Sequence, residues 1–162
     1  MKEKKKIYYI DTCFLIHLLL TDSPFNTQAE EFYKRLSEKE DIILKISTIA
    51  IAEYAIKGDV TDIPANIHVQ SFNVLHAIKA GEFGRVCAQS RKEANDGSNR
   101  TIVLNDSKML AQAEVEEADG FITTDHKAKK VYDILKDKGL VSFEFIDITT
   151  TTCANFFGEL DF

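Results

Sequence analysis

Two acidic residues stand directly after β-prone runs, where a carboxylate could bind a ligand rather than face solvent. Asp11 follows the run 7–10, and Asp125 follows the run 120–124. In open α/β sheets, ligands bind outside the carboxyl ends of the parallel strands. Each of these residues could instead only cap the helix that follows its strand. Two such residues in one chain favour a shared site at one edge of a sheet.

Glu53 and Asp106 are acidic residues that share predicted helical faces with apolar residues. Glu53 lies four residues after Ile49 and three before Ile56, so a helix here would aim its carboxylate at apolar neighbours. Buried Glu is rare unless it is paired or bound to metal, although a Glu at the stripe's edge could reach water. Asp106 lies three residues before Met109, in a predicted first helical turn, where the helix dipole also favours an acid.

Four carboxylates at one sheet edge would need cations. Two like charges about 5 Å apart repel by roughly 3 kcal/mol at an effective dielectric of about 20. Oxygen ligands without His or Cys select Mg²⁺ or Mn²⁺ over zinc. Such ions suit in-line hydrolysis of a phosphodiester, because they activate water and neutralise charge at the phosphorus and at the leaving oxygen. We therefore predict a metal site built from Asp11, Glu53, Asp106 and Asp125, the four-acid cluster.

Hydroxyl and basic residues beside these acids could complete the site. The hydroxyls that could orient the metal's water ligands, or equally cap helices, are Thr12, Ser47 and Thr124. The residues that could contact the phosphates of such a substrate, or equally form solvated helix faces, are Lys127, Lys129, Lys130, Arg85, Arg91, Lys92 and Arg100. The four histidines show no metal-ligand spacing.

Predicted strands alternate with predicted helices along the chain. We predict strands at 7–10, 42–46, 67–72, 120–124 and 141–145. We predict helices at 12–20, from a capping box at 27–30, at 48–57, at 74–95 with a break at Gly81 and Gly84, at 105–118 and from 126 to a stop at Gly139. The polar segment 95–99 reads as a loop. This order predicts an α/β fold, a three-layer α/β/α sandwich with a central, mainly parallel sheet of about five strands.

Composition and length favour one globular domain. The chain has 162 residues and 44% hydrophobic content, enough for one sizeable core. We predict a nuclease-like domain at 1–148 and a C-terminal tail at 149–162 that is docked or flexible. The net charge of -6 argues against a broad basic face that coats nucleic acid.

Cysteine usage and the N-terminal segment bear on the compartment. The three cysteines are odd in number and form no C-x-x-C pair, so they support neither a disulfide framework nor a zinc motif. The basic segment 2–6 and the apolar run 7–20 could be read as a signal peptide. Asp11 and His17 interrupt that run, which is also shorter than the ~20 residues of a membrane span. We expect a cytoplasmic protein that does not enter a membrane.

The acidic motifs resemble those of the PIN-domain family between Ile7 and Ile148. IYYIDTCFLI resembles the family's first strand and first metal-ligating Asp, and STIAIAEYAIKG resembles its helix with the ligating Glu. NDSKMLAQAEVEEADGFITTD resembles the segment with the third and fourth acids. The resemblance implies a nuclease that cleaves RNA with Mg²⁺ or Mn²⁺ held by the four-acid cluster. Many compact members are VapC-like toxins, so it also implies an antitoxin partner and a homodimer.

Two other functions remain open on sequence grounds. Mg²⁺-dependent phosphatases and phospho-acceptor domains also place Asp at strand ends, but their D-x-D-x-T/V motif, or an Asp pair with a distant strand-end Lys, is not evident here. A catalytically silent PIN-like binding module is the second alternative. The presence of all four acids favours the nuclease.

Overall fold

In the computed structural model, the chain folds into a parallel sheet with helices on both faces. The structure describes residues 4–94 and 100–158, without the side chains of 100–104. The strands are β1 (Lys6–Ile10), β2 (Ile42–Ser47), β3 (Ile67–Gln70), β4 (Gly120–Thr123) and β5 (Glu144–Asp147). The helices are α1 (Thr12–Leu19), α2 (Asn26–Ser37), α3 (Thr48–Tyr54), α4 (Val74–Ala94), α5 (Arg100–Val115), α6 (His126–Asp137) and α7 (Cys153–Phe157), with a 3₁₀ turn at Val60–Asp62.

The sheet order β3-β2-β1-β4-β5 places the two strands that precede Asp11 and Asp125 side by side. All the strand pairs are parallel, and Ile10 of β1 lies opposite Ile122 of β4. The residues that follow these strands therefore emerge next to each other at the carboxyl edge. The prediction of a mainly parallel five-stranded sheet is confirmed.

The helices cover both faces of the sheet. Tyr8 meets Phe156 of α7 on one face, where α1 and α2 also pack, and the adjacent Tyr9 meets Gln112 of α5 on the other. Helices α4, α5 and α6 pack against one another on that second face. Burial on both faces explains why β1 and β4 read as continuous apolar runs rather than as alternating patterns. The predicted three-layer α/β/α sandwich is confirmed.

Two glycines are required where they stand. A Cβ on Gly120 would lie 2.7 Å from ring atoms of Tyr8 and 2.9 Å from Cδ1 of Ile146, so only glycine lets β4 pack this closely between its neighbours. Gly139 has φ 69°, the left-handed conformation that ends α6 at low cost. The predicted stop at Gly139 is confirmed.

The start of α2 differs from the prediction. The helix begins at Asn26, and its N-cap residue Phe25 makes no side-chain capping hydrogen bond, so the predicted capping box at 27–30 is wrong. The side-chain amide of Asn26 (Nδ2) instead donates to the backbone carbonyls of His17 and Leu18, at 3.0 and 3.2 Å. A tertiary contact with the end of α1 therefore sets this helix start, and local sequence could not indicate it.

Helices α3, α4 and α5 also depart from their predicted bounds. α4 runs unbroken through Gly81 and Gly84, because its buried residues Ala80 and Phe83 hold it against its neighbours. α3 ends at Tyr54 rather than at 57. α5 begins at Arg100 rather than at 105, and the predicted loop at 95–99 lies outside the described residues.

The C-terminal segment docks on the body through α7. The ring of Phe156 lies 5.8 Å from that of Tyr8 and 5.7 Å from that of Phe32 in α2. The ring of Phe157 lies under the cations of Arg35 and Lys39. Phe162 lies outside the described residues. Within the described ranges, no helix has the length and apolar character of a membrane span.

Candidate metal centre

One pocket at the carboxyl edge of the sheet is lined by all four residues of the four-acid cluster. Its volume is about 180 Å³. The residues that line it are Asp11, Thr12, Cys13, Glu53, Asn105, Asp106, Met109 and Asp125. These residues come from the ends of β1 and β4 and from helices α1, α3 and α5, so the topology assembles the pocket from distant parts of the chain.

Asp11 is the most buried acid of the pocket, with 3% of its surface exposed. Its Oδ1 accepts a 2.8 Å hydrogen bond from the backbone N–H of Phe14, which caps α1, and its Oδ2 accepts a bond from the Thr123 hydroxyl. The pKa of Asp11 is raised to about 7, mainly by burial and also by the charges of Asp125 and Asp106, against the lowering effect of these two bonds. The residue is therefore both a helix cap and a carboxylate that is costly to ionise without a cation.

Asp106 carries the clearest sign of a missing partner. It is 6% exposed, and its Oδ2 is buried without a hydrogen-bond partner among the described residues. Burial first, and then the charges of Asp125 and Glu53, raise its pKa to about 7, while Lys127 lowers it. Because α5 begins at Arg100, Asp106 does not lie in the first helical turn, and the helix dipole does not explain it.

Glu53 points into the pocket rather than into the core. The Thr12 hydroxyl donates to its Oε2, and the Asn105 amide donates to its Oε1 at 3.1 Å. Ile56, which we expected to share a buried face with Glu53, is 78% exposed because it lies beyond the end of the short helix α3. The prediction that Glu53 and Ile56 share a buried face is therefore wrong. Asn105, which stands at the start of the predicted helix 105–118, instead lies inside α5 and orients Glu53.

Thr123 connects Asp11 to Asp125. Its hydroxyl donates to Asp11 and accepts a 2.8 Å bond from the backbone N–H of Asp125. Asp125 in turn caps α6 by accepting from the N–H of Lys127 at 2.8 Å. The residue predicted from the sequence is the neighbouring Thr124. The register that pairs β4 with β1 is what brings Thr123 to Asp11, and that register is not visible in the sequence.

The remaining predicted residues lie in different surroundings. Ser47 caps α3 by accepting from the N–H of Ile49 at 3.1 Å, which is the alternative role left open for it. Lys127 is exposed close to Asp106. Lys129 forms an ion pair with Asp133.

The other basic candidates lie mostly on α4. Lys130 of α6 and Arg85 and Lys92 of α4 are exposed, and Arg91 is close to Cys87. The carboxyl-terminal half of α4 approaches Lys138, at the opposite end of α6 from Asp125. The side chain of Arg100 lies outside the described residues.

The acids of the pocket fit a hard divalent cation. As they stand, no three His, Cys, Asp or Glu side chains of the described residues are already arranged as the ligands of one ion. An ionised carboxylate has about four lone-pair sites, so the bonds that hold Asp11 and Glu53 leave acceptor capacity free. The partnerless oxygen of Asp106 and the carboxylate donors match the preferences of Mg²⁺ and Mn²⁺.

We expect Thr123→Val to weaken the site through Asp11. The substitution keeps the side-chain shape but removes the hydroxyl bonds to Asp11 and Asp125. Loss of such an orienting partner typically lowers metal affinity by about 10- to 100-fold. The Mg²⁺ concentration that gives half-maximal stabilisation in thermal melts measures this. Thr124→Val is the matched control, and equal effects of the two variants would contradict the assigned role of Thr123.

Several solved structures of other proteins have the same fold. VapBC2 from Rickettsia felis, bound to a promoter DNA fragment, matches 87% of this chain and 99% of its own at 15% identity and a TM-score of 0.58. FitAcB from Neisseria gonorrhoeae matches 89% and 99% at 13% identity and a TM-score of 0.56. VapC20 from Mycobacterium tuberculosis, a sarcin-ricin loop cleaving toxin, matches 76% and 93% at 12% identity and a TM-score of 0.52.

The sequence itself has no comparable match. No family model and no curated protein matches it. At 12 to 15% identity, the structural likeness shows the fold alone. With its parallel five-stranded sheet between two helical layers, the chain has the PIN-domain fold of the VapC proteins.

Proposed function

We propose that the chain is a metal-dependent endoribonuclease that hydrolyses RNA phosphodiester bonds and serves as the toxin of a toxin–antitoxin pair. The observation that carries the proposal is the buried, partnerless Oδ2 of Asp106 in a pocket lined by three further acids. Such a pocket is electrostatically costly without a divalent cation. The likeness to VapC20, a toxin that cleaves the sarcin-ricin loop, supports RNA as the substrate.

The four acids of the pocket, and the residues that hydrogen-bond to them, have defined tasks in this reaction. Asp106 and Asp11 hold the cation through buried carboxylates, with Asp11 fixed by Thr123. Glu53, which Thr12 and Asn105 hold in place, is the third carboxylate of the site. Asp125 is the fourth. When bound, Mg²⁺ or Mn²⁺ supplies Lewis-acid activation of water and neutralises charge on the phosphate.

The partners and the domain limits belong to the same proposal. We propose an RNA substrate, a protein antitoxin and a homodimer, in a cytoplasmic protein whose catalytic domain spans 1–148 and whose tail spans 149–162. The likeness to VapBC2 and FitAcB supports an antitoxin partner. Val74, Leu75 and Ile78 near the start of α4 are 73%, 64% and 67% exposed, and exposed apolar side chains grouped in this way support a protein contact.

The test of the proposal is cleavage of a mixed pool of structured and single-stranded RNA. We expect cleavage with Mg²⁺ or Mn²⁺, its loss in EDTA, and its recovery when the metal is restored. Parallel assays with a phosphate monoester separate this activity from a phosphatase. RNA binding without cleavage under every metal condition would contradict the nuclease and favour a silent binding module.

We expect Lys127→Ala to weaken RNA binding through a lost phosphate contact. Lys127 is exposed, and its charge lowers the pKa of Asp106. Its ammonium can therefore contact a phosphate of an RNA that is bound at the pocket. Removing one phosphate contact to a single strand lowers the slope of log K against log salt by about 0.7. Fluorescence anisotropy in Ca²⁺ at several salt concentrations measures the slope. Lys138→Ala, at the far end of α6, should leave it unchanged, and an equal change in both variants would contradict the contact.

A further inference from the structure

The amino end of α4 is held by reciprocal capping hydrogen bonds that include a histidine ring. The side chain of Asn73, the residue before the helix, accepts from the backbone N–H groups of Leu75 and His76 at 3.0 and 3.2 Å. Nδ1 of His76 in turn accepts from the backbone N–H of Asn73 at 3.0 Å. This is the geometry of a capping box, in which a Glu or Gln ordinarily reaches back to the first residue. Histidine brings to this position a side chain whose charge ordinarily changes between about pH 5 and 8.

The hydrogen bonds of the His76 ring define one neutral tautomer. The residue is fully buried, with 0% of its surface exposed, and its Nε2 lies 2.7 Å from Oε1 of Glu116 in α5. Because an ionised carboxylate only accepts hydrogen bonds, Nε2 carries the ring proton. Nδ1 accepts from the N–H of Asn73, so it carries none. The closed helix start therefore requires the Nε2–H form of the ring.

Glu116 would keep the ring in place if Nδ1 gained a proton. Its Oε1 bonds Nε2 of His76, and its Oε2 lies 3.4 Å from the ammonium of Lys45 in β2. Beside it on β1 is Tyr9, whose pKa is raised by burial and then by the charge of Glu116. Helix α6 approaches α4 toward the other end of that helix. A protonated ring would thus stay paired with Glu116, while its Nδ1–H would face the N–H of Asn73. Two donors cannot bond, so the backbone of Asn73 would have to move.

The turn that these bonds hold faces solvent. Asn73 is exposed, and Val74, Leu75 and Ile78 are 73%, 64% and 67% exposed. Opening this turn therefore removes little apolar surface from the core, and segments of this kind open at low cost. The opening would admit water to the His76 ring and displace the exposed apolar side chains next to it.

We propose that the amino end of α4 is a pH-sensitive switch, closed while His76 is neutral and opened by protonation of its Nδ1. A proton from solvent forms a bond to Nδ1, and the hydrogen bond from the N–H of Asn73 is lost. Once its backbone is displaced, Asn73 no longer reaches the N–H groups of Leu75 and His76. The switch is independent of the proposed nuclease. The sequence pattern did not reveal it, because a capping box is recognised by Glu or Gln at the position that His76 occupies.

The tautomer and its titration are tested by nitrogen-15 NMR of the histidine rings in the parent protein. At about pH 7.5 we expect Nε2 of His76 to be protonated and Nδ1 to be bare. As the pH falls to about 5.5, Nδ1 should gain a proton, and the amide signal of Asn73 should shift with the same midpoint. A ring in the Nδ1–H form at the higher pH, or one that stays neutral down to about pH 4.5, would overturn the switch.

Hydrogen exchange measures the opening itself. We expect the protection factors of the Asn73, Leu75 and His76 amides to fall about fivefold or more between about pH 7.5 and 5.5. Fivefold is about the factor that corresponds to the typical loss of a helix cap. Each rate is corrected for intrinsic exchange at its pH, and the amides of α6 provide the reference. A fall of the same size in α6 would mean general loosening of the fold and would contradict a local switch.

His76→Gln is the matched variant, because Gln is a residue that capping boxes use at this position and it does not titrate. It should keep the protection of the Asn73 and Leu75 amides at both pH values. His68→Gln, which replaces an exposed histidine of β3, should lose protection as the parent does. A folded His76→Gln that opens with acid like the parent would refute the proposal. If thermal melts show that this variant does not fold, the ring titration in the parent decides. RNA cleavage enters none of these measurements, so they stand or fall separately from the nuclease.

Discussion

We expect Asp106→Asn to abolish RNA cleavage while the protein stays folded and still binds RNA. Asn keeps the shape of the side chain but removes the charge of the carboxylate whose Oδ2 has no partner in the pocket. Loss of an orienting partner already costs about 10- to 100-fold, so the loss of a ligand should lower cleavage by at least about 100-fold. Single-turnover cleavage of a labelled RNA measures this, and anisotropy in Ca²⁺ measures binding. Asp11→Asn should behave in the same way.

A matched control separates the pocket from general surface charge. Asp133 is exposed on α6 and pairs with Lys129, outside the pocket. Asp133→Asn should therefore cleave RNA at the parental rate after the same purification. Full activity in both Asp106→Asn and Asp11→Asn would mean that the cleavage comes from a contaminant or from another site.

Asp11 and Asp106 should make the metal-free protein less stable as pH rises from about 4 to 7. With a chelator present, their contribution to the free energy of unfolding should fall across this range. The pKa values of Asp11 and Asp106 are raised from 3.8 to about 7, so in this window the folded state binds more protons than the unfolded state. This stabilisation is fully present below the unfolded pKa and is lost as pH rises through the folded pKa. The slope for each residue is at most about 1.4 kcal/mol per pH unit.

The comparison with Asp106→Asn isolates this contribution from the other titrating groups. Urea unfolding across the window should show the parent losing stability relative to the variant as pH rises, because Asn does not titrate. Mg²⁺ should recover the loss near neutral pH by binding the folded, ionised form. A parent-minus-variant difference that is flat or rises with pH would contradict the assigned pKa of Asp106.

Two acids of the pocket could be predicted because the sequence pattern shows where the strands before them end. Asp11 and Asp125 follow apolar runs, and parallel pairing of adjacent strands then brings them to one edge. Glu53 lines the pocket as predicted, but one reason for selecting it was wrong, because Ile56 is exposed rather than buried. Short-range periodicity cannot tell a helical face that borders a pocket from one that borders the core.

Contacts between distant segments could not be predicted from the sequence. Thr123 rather than Thr124 bonds Asp11 because of the register between β1 and β4. The side chain of Asn105 hydrogen-bonds to Glu53, 52 positions away in the sequence. The side chain of Asn26, at the start of α2, hydrogen-bonds to a carbonyl near the end of α1. Each of these contacts depends on tertiary structure that a single sequence does not encode in any local pattern.

Anomalous diffraction from crystals grown with Mn²⁺ would locate the cation that the proposed nuclease requires. We expect a manganese peak in the pocket between Asp11, Glu53, Asp106 and Asp125, within about 2.0 to 2.6 Å of carboxylate oxygens, the range of hard-cation bonds to oxygen. Crystals of Asp106→Asn grown under the same conditions should show a weaker peak or none. A fully occupied manganese site elsewhere, with the pocket empty in the parent protein, would contradict the metal centre and the nuclease mechanism built on it.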